Sequence, residues 1–339
     1  VKFLIAGLGS IGRRHLRNLL ALGERDIILY RTHRSTLPDS ELGDFPVETD
    51  LATALERQPD AVIVSNPTAL HLDVAIPAAQ AGCHIFMEKP ISHSLERIDE
   101  LDAALTSGGG SLFVGFQFRF HPGLRQVKRL LEAGAIGRPL SVRAQWGEYL
   151  PGWHPWEDYR QGYSARPDLG GGVILTLCHP LDYLRWLLGE VSQLWAFAGQ
   201  LSDLELAVED TAEIGLRFVN GVIGSLHLDY TRRPPSHQLE IVGTRGTLQW
   251  HNDDGAARLY QAPGADPQAA SGGEWQIFPP PEGFQRNTMF LDQMRHFVAI
   301  LHGEATPLCT LEDGVRDLQL SLAAIASQHQ GCMIQPTAN

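Results

Sequence analysis

At 339 residues the chain is long enough for two domains at about 150 residues each, and with 43% apolar and 19% charged residues it falls in the range of folded globular proteins, which excludes disorder as a global description. A net charge of −12, from 27 basic against 39 acidic residues, argues against nucleic acid as the main partner, and no apolar run reaches the about 18 residues of a membrane helix. Cys83, Cys178, Cys309 and Cys332 are scattered and form no Cys-x-x-Cys pair, so neither a disulfide framework nor a metal site is expected, and a cytoplasmic protein is.

The apolar run at residues 1–6 is too short for a signal peptide and leads into a glycine loop, so it reads as a buried strand. Strands are predicted at 3–6, 27–30, 61–65, 84–87 and 112–115, with helices between them at 11–22, 51–57, 70–81 and 94–106. Strands apolar on both faces, alternating with helices, predict a doubly wound parallel sheet. Pro77 lies inside the third helix, where it should remove the bond to the Asp73 carbonyl and kink it. A helix at 122–133 follows, then an aromatic and glycine-rich stretch from 146 to 172 and one continuous helix at 173–188. Strands at 194–199, 211–218, 222–230, 238–242 and 247–250, joined by turn pairs such as Asn220-Gly221 and Arg245-Gly246, predict a largely antiparallel sheet. Residues 253–281 read as surface loops around a short strand at 275–278, and helices at 287–302 and 311–328 close the chain. The expected division is a dinucleotide-binding domain at 1–118 and an α+β substrate and oligomerisation domain at 119–339.

Gly7-Leu8-Gly9-Ser10-Ile11-Gly12 follows a predicted strand and opens a predicted helix, the context in which G-x-G-x-x-G binds a dinucleotide pyrophosphate on helix amides. Where an acid would bind a ribose 2′-hydroxyl stands Arg31-Thr32-His33-Arg34 instead. Two guanidinium groups suit a 2′-phosphate, so NADP is expected, with NAD as the alternative. Lys89, in Glu88-Lys89-Pro90, ends the fourth of the predicted strands, where doubly wound sheets place their ligands. Past Gly170-Gly171-Gly172, the spacing of Thr176, His179 and Asp182 puts all three near one face of the 173–188 helix.

Taken together, Gly7-x-Gly9-x-x-Gly12-x-x-His15, Ser65-Asn66-Pro67-Thr68-x-x-His71, Glu88-Lys89-Pro90, Gln117-x-Arg119-Phe120-x-Pro122, the triple glycine before His179-x-x-Asp182, and Leu311-Glu312-Asp313-Gly314 resemble the Gfo/Idh/MocA oxidoreductases over nearly the whole chain. The resemblance implies a Rossmann domain, a second domain with a large open sheet, a nicotinamide cofactor, sugar, nucleotide-sugar or polyol substrates, and homodimers or homotetramers formed through that sheet. It implies that Ser10, Ile11, Ser65, Asn66, Pro67, His71, Glu88, Lys89 and Gln117 join Gly7, Gly9, Gly12, Arg31, Thr32 and Arg34 around the cofactor. Lys89 and His179 become the catalytic pair: a histidine, near pKa 6.5, suits the proton-transfer role better than a lysine near 10.4. His179 is therefore taken as acid/base and Lys89 as the group that polarises the substrate oxygen, with the reverse assignment open.

The sequence departs from the family at Thr176, where many members carry an aspartate, and a threonine cannot ionise. Arg119, Tyr163, Arg166, Thr176, His179 and Trp153 are the substrate candidates, because aromatic faces beside hydrogen-bonding groups suit a sugar ring. Two other functions fit the same residues: a tightly held cofactor cycling internally, as in an epimerase, lyase or glycosidase, and a catalytically silent dinucleotide-binding regulator.

Overall fold

The computed structural model describes residues 1–32, 42–262 and 273–336. They cluster into two units, residues 1–117 with 167–171 and 286–318, and residues 118–166 with 172–285 and 319–339. The first unit thus takes in two later segments besides the N-terminal stretch.

In the first unit a parallel sheet is built from β1 (Phe3–Ala6), β2 (Ile27–Tyr30), β3 (Val47–Glu48), β4 (Ala61–Val64), β5 (His84–Met87) and β6 (Leu112–Val114), in the order β3-β2-β1-β4-β5-β6. The chain winds outward in both directions from β1 and β4, so the crevice between their C-terminal ends is the topological switch point, where such sheets bind ligands. The intervening helices are α1 (Ser10–Ala21), α2 (Leu51–Glu56), α3 (His71–Gln80) and α4 (Ile98–Gly108). Asp50 caps α2 by accepting from the Thr53 amide at 2.8 Å. α3 continues through Pro77, which has no amide hydrogen to offer the Asp73 carbonyl.

Phe86 and Phe113 on neighbouring strands meet Phe297 of a much later helix at 5.5 and 6.3 Å between ring centroids, and the Val114 amide donates to the Cys309 carbonyl. The C-terminal segment therefore completes the core of the N-terminal sheet.

The second unit opens with α5 (Pro122–Glu132). Pro122 takes a first-turn position where its missing amide costs nothing, and the His121 ring accepts from the Gly123 amide at 3.0 Å. Its sheet comprises β7 (Pro139–Tyr149), β8 (Val191–Gly199), β9 (Thr211–Phe218), β10 (Ile223–Asp229), β11 (Thr231–Gly243), β12 (Gly246–His251), β13 (Ala257–Gln261) and β14 (Trp275–Phe278), in the order β14-β13-β12-β11-β7-β10-β9-β8. All pairings are antiparallel except that of β7 with β10. Between β7 and β8 lie α6 (Val173–Thr176) and α7 (His179–Leu188), and after β14 come α8 (Arg286–Leu301) and α9 (Leu311–Gln330). Among the described residues no helix is long and apolar enough to cross a membrane, and the four cysteines are free thiols.

Three sequence expectations are corrected. Residues 139–149 form a central strand, where the sequence reading placed no element and set the last four residues in an aromatic and glycine-rich stretch. Residues 257–261 form β13 where surface loops were expected. The helix expected at 173–188 is two helices, because Pro180 has no amide hydrogen for the Thr176 carbonyl, and the chain breaks at Leu177 and Cys178.

Replacing Phe297, which is fully buried, by alanine is expected to cost about 3–5 kcal/mol. Denaturant melts of Phe297→Ala check it; wild-type stability would mean that α8 does not share the N-terminal core.

Candidate active site

In the first unit the glycine loop is held by close approaches. Gly7 has φ +94°, and a Cβ there would lie 2.5 Å from the Asn66 amide nitrogen. A Cβ on Gly12 would lie 1.9 Å from the Gly7 carbonyl oxygen, so no larger residue fits where α1 meets the loop. The buried Ser65 hydroxyl lies 3.0 and 2.9 Å from the carbonyl oxygens of Ala6 and Gly7, tying the end of β4 to the end of β1.

A dinucleotide fits what remains. A Cβ on Gly9 would meet nothing within 4 Å, so the backbone there is open to close approach. No side chain caps α1, and no acid stands in its first turn. The buried Asn66 Oδ1 has no partner, while its Nδ2 donates to the Leu70 carbonyl at 2.9 Å. An unspent acceptor and free helix amides beside the switch point are the groups a ribose and a pyrophosphate require. Ser10 and Ile11 open α1, and Pro67 leads from Asn66 into a short turn at Thr68–Leu70.

Glu88 ends β5 as a buried carboxylate. His15 of α1 approaches it at 2.7 Å, and the Lys89 amide at 3.3 Å. Burial pushes the Glu88 carboxyl up, but the His15 hydrogen bond and charge, with Lys89 and His71, outweigh it and hold it below the usual range. It stays an anion, so His15 Nε2 is the donor. His71 Nε2 donates to the Asn66 carbonyl at 3.0 Å, and burial lowers that imidazole to about 4. Glu88 and His71, expected at the cofactor, spend these groups on α1 and on the Asn66 segment. Lys89 itself is half-buried, and the Lys89–Pro90 peptide bond is cis. Gln117 is buried; with its oxygen turned toward them, the Gln293 amide accepts from Phe116 and Gln117 at 3.1 and 3.2 Å. The Arg31 amide donates to the Glu48 carbonyl at 3.1 Å, with its side chain largely covered, and Thr32 is exposed. Arg34 lies outside the described residues.

In the second unit the break after Thr176 separates residues expected on one helix face. His179 opens α7 and is 1% exposed, its ring edge-on to Phe118 at 5.1 Å and stacked on Trp146 at 5.6 Å. Thr176 points instead to Tyr230, whose hydroxyl lies 2.9 Å from the Gly172 carbonyl and 3.3 Å from that of Ser164. Burial raises Tyr230 well above the ordinary tyrosine value, so it remains a donor. Gly172 has φ +109°, and a Cβ there would fall 2.4 Å from Glu209 Oε1. Burial raises that carboxyl despite the Ile174 amide it accepts.

Arg119, expected at the substrate, is engaged in a buried ion pair. Its guanidinium reaches Asp182 at 2.6–3.1 Å through two nitrogens, with both residues at most 3% exposed. The pair joins the segment before α5 to α7. Trp153 stands edge-on to Tyr230 at 5.6 Å with its indole nitrogen buried and unpartnered, Tyr163 is partly exposed and Arg166 exposed. Sequence reasoning missed Tyr230, Glu209, Trp146 and His237. For Trp146 a signal existed: Val142, Ala144 and Trp146 alternate with Ser141, Arg143 and Gln145, the period of a strand. Among the described residues no group of three His, Cys, Asp or Glu could hold a metal ion.

A parallel sheet with an open glycine loop at its switch point, joined in one chain to a large mostly antiparallel sheet, defines a dinucleotide-dependent oxidoreductase. Residues 1–116 match the domain described as "Oxidoreductase family, NAD-binding Rossmann fold", and residues 124–249 the "GFO/IDH/MocA C-terminal domain". The chain is 30% identical over 276 residues to the 1,5-anhydro-D-fructose reductase of Ensifer adhaerens, covering 80% of this chain and 78% of that one. It is 29% identical over 335 residues to the myo-inositol 2-dehydrogenase of Thermotoga maritima, covering 94% of each. The fold matches that of levoglucosan dehydrogenase in complex with NADH at a TM-score of 0.86, with 19% identity and 99% of each chain covered. The chain belongs to the Gfo/Idh/MocA family of NAD-binding oxidoreductases.

The covered histidine of the first unit sets a pH dependence. His71 is near 4 when folded and near 6.5 when unfolded, so between those values the unfolded chain binds more protons. Its contribution is complete above about pH 6.5 and is lost toward pH 4 at about 1.4 kcal/mol per unit. Melting temperatures measured from pH 7 to pH 4 should fall less steeply in His71→Gln, which keeps a donor for the Asn66 carbonyl; equal slopes would contradict this.

Proposed function

We propose that the protein oxidises a secondary alcohol, or reduces the corresponding ketone, on a ring carbon of a sugar or cyclic polyol. The observation that carries this reading is Lys89, at the carboxyl end of β5, its backbone fixed by the buried Glu88 carboxylate in the sheet that carries the open glycine loop. The named activities of the relatives, on 1,5-anhydrofructose and inositol, support the substrate class. When bound, the nicotinamide supplies a hydride acceptor or donor. Alcohol oxidation also removes a proton from the hydroxyl oxygen, and we assign that proton to His179. Lys89 is assigned to binding the substrate oxygen and favouring the charge that develops on it.

Gly7, Gly9 and the first turn of α1 are assigned to the pyrophosphate and Asn66 to a ribose or the nicotinamide amide. Trp153, Tyr163 and Arg166 are assigned to the substrate; Arg119, engaged with Asp182, is not. A preference for NADP is supported by Arg31 and Arg34 and by the lack, among the described residues, of a free carboxylate at the end of β2, since Glu48 on the adjoining strand is paired with Arg57.

Self-association through the second sheet is supported by its solvent face. There Trp195, Phe197 and Ile223 lie in register with Gly215, Glu213 and Arg217 respectively, and Phe197 and Ile223 are both more than half exposed. Phe197→Glu with Ile223→Glu should reduce the mass measured by sedimentation to that of one chain; an unchanged mass would place any interface elsewhere.

The deciding experiment is titration with NADPH and NADH followed by absorbance at the reduced-nicotinamide band over a panel of sugars and cyclic polyols. Turnover is expected on at least one, and Lys89→Ala should lower kcat by about 100-fold or more while dinucleotide affinity is retained. Binding without turnover on any compound would overturn the reading, and equal affinity for the two dinucleotides would overturn the preference for NADP.

A further inference from the structure

His179 belongs to an aromatic stack that no part of the assignment above uses. Trp146 on β7 stacks with two histidines: His179, 5.6 Å between centroids and 30° between planes, and His237 of β11, at 4.5 Å and 3°. His237 is the cross-strand partner of Trp146, so strand register fixes one side of the indole. The Tyr183 hydroxyl and His237 Nε2 share a hydrogen bond of 3.1 Å, and Tyr183 is one helical turn beyond His179 on α7. Phe118 closes the slot edge-on to both histidines, at 5.1 and 4.7 Å.

The indole is also polarised. Its Nε1 donates to Glu148 Oε1 at 2.9 Å, two residues along the same strand. A carboxylate on the indole N–H pushes electron density into the ring, and the ring face is where a cation gains most. Burial opposes a charged imidazole, so a buried base needs such a compensating contact to accept a proton.

We infer that Trp146 is the positioning residue for His179: its face, enriched by Glu148, sets the plane of the imidazole and favours the protonated ring that forms when the substrate hydroxyl gives up its proton. Ionisable groups packed about His179 include His237 on β11, Tyr183 and Asp182 on α7, and Arg119 ahead of α5, which pairs with Asp182. Asp182 and Arg119 offset each other, and burial keeps Tyr183 a neutral hydroxyl. The polarised indole is a neighbour whose face favours the charged ring. In the oxidation direction a weaker base is deprotonated at lower pH, so losing the indole moves the acid limb of activity downward and lowers the rate at its plateau.

The inference rests on His179 as the proton acceptor, and its test is chosen to stand apart from that reading. The imidazole Cε1–H resonance of His179, assigned by its loss in His179→Asn, is titrated by NMR in the full-length protein from pH 5 to pH 9. Trp146→Leu, which keeps bulk without a π face, should lower the midpoint by about half a unit or more, and Glu148→Gln by a few tenths in the same direction. Trp146→Phe should restore most of the wild-type value. Should Trp146→Leu fail to fold, Glu148→Gln and Trp146→Phe carry the test, since both leave the ring slot filled. A purely structural role for Trp146 predicts a lower melting temperature with an unmoved midpoint, and that result overturns the inference, as does a wild-type His179 that stays neutral across the range. Turnover retained in His179→Asn would instead overturn the assignment of the base, leaving the titration result intact.

Discussion

The constraint on which the rest of the first unit depends is an anion kept inside it. Glu88 sits at the end of a buried strand, where an unpaired carboxylate would be costly. It stays charged because the ring of His15 approaches at 2.7 Å, with Lys89 adding favourable charge. That requirement ties α1 to β5, so the helix that offers its amides to a pyrophosphate and the strand that presents Lys89 are held by one interaction. Ser65 does for β1 and β4 with a neutral hydroxyl what Glu88 does with a charge.

The second unit solves the same problem with rings. His179 is almost wholly covered, and rings line its surroundings: Trp146, Phe118, Tyr183, His237 and Trp250 pack edge to face or stacked. Aromatic contacts of this kind fix orientation through the ring quadrupole while offering little charge of their own. Arg119 and Asp182 supply charge nearby as a compensated pair. Removing either residue would leave the other a buried charge without its ion-pair partner, a change that costs about 3–5 kcal/mol. Tyr230 and Glu209 brace the turn at Gly172, and the hydroxyl of Thr176 stands beside the Tyr230 hydroxyl.

Residues close in sequence with a strict period were legible without the fold. The strands at 27–30 and 84–87, the glycine loop with its helix, and Lys89 at a strand end follow from local pattern, since each is decided by a few neighbours. The central strand β7 was less legible. Its inward residues alternate as a strand requires, but the tryptophan at its far end merges with an aromatic run. Pro180 marks the break between α6 and α7 in the sequence itself, and weighing its missing amide against the apolar period would have separated Thr176 from His179.

What the sequence determined by itself is the class of chemistry: a dinucleotide loop, a lysine after a buried strand and a histidine after a triple glycine, each defined by short-range spacing. Only the tertiary structure decided how those groups are held. Arg119 and Asp182 are 63 positions apart, Glu88 and His15 are 73 apart, and Trp146 meets His237 through strand register. Such partners are chosen by packing, because a buried charge or ring takes whichever group the sheet and helices bring within reach, and no local period encodes that choice.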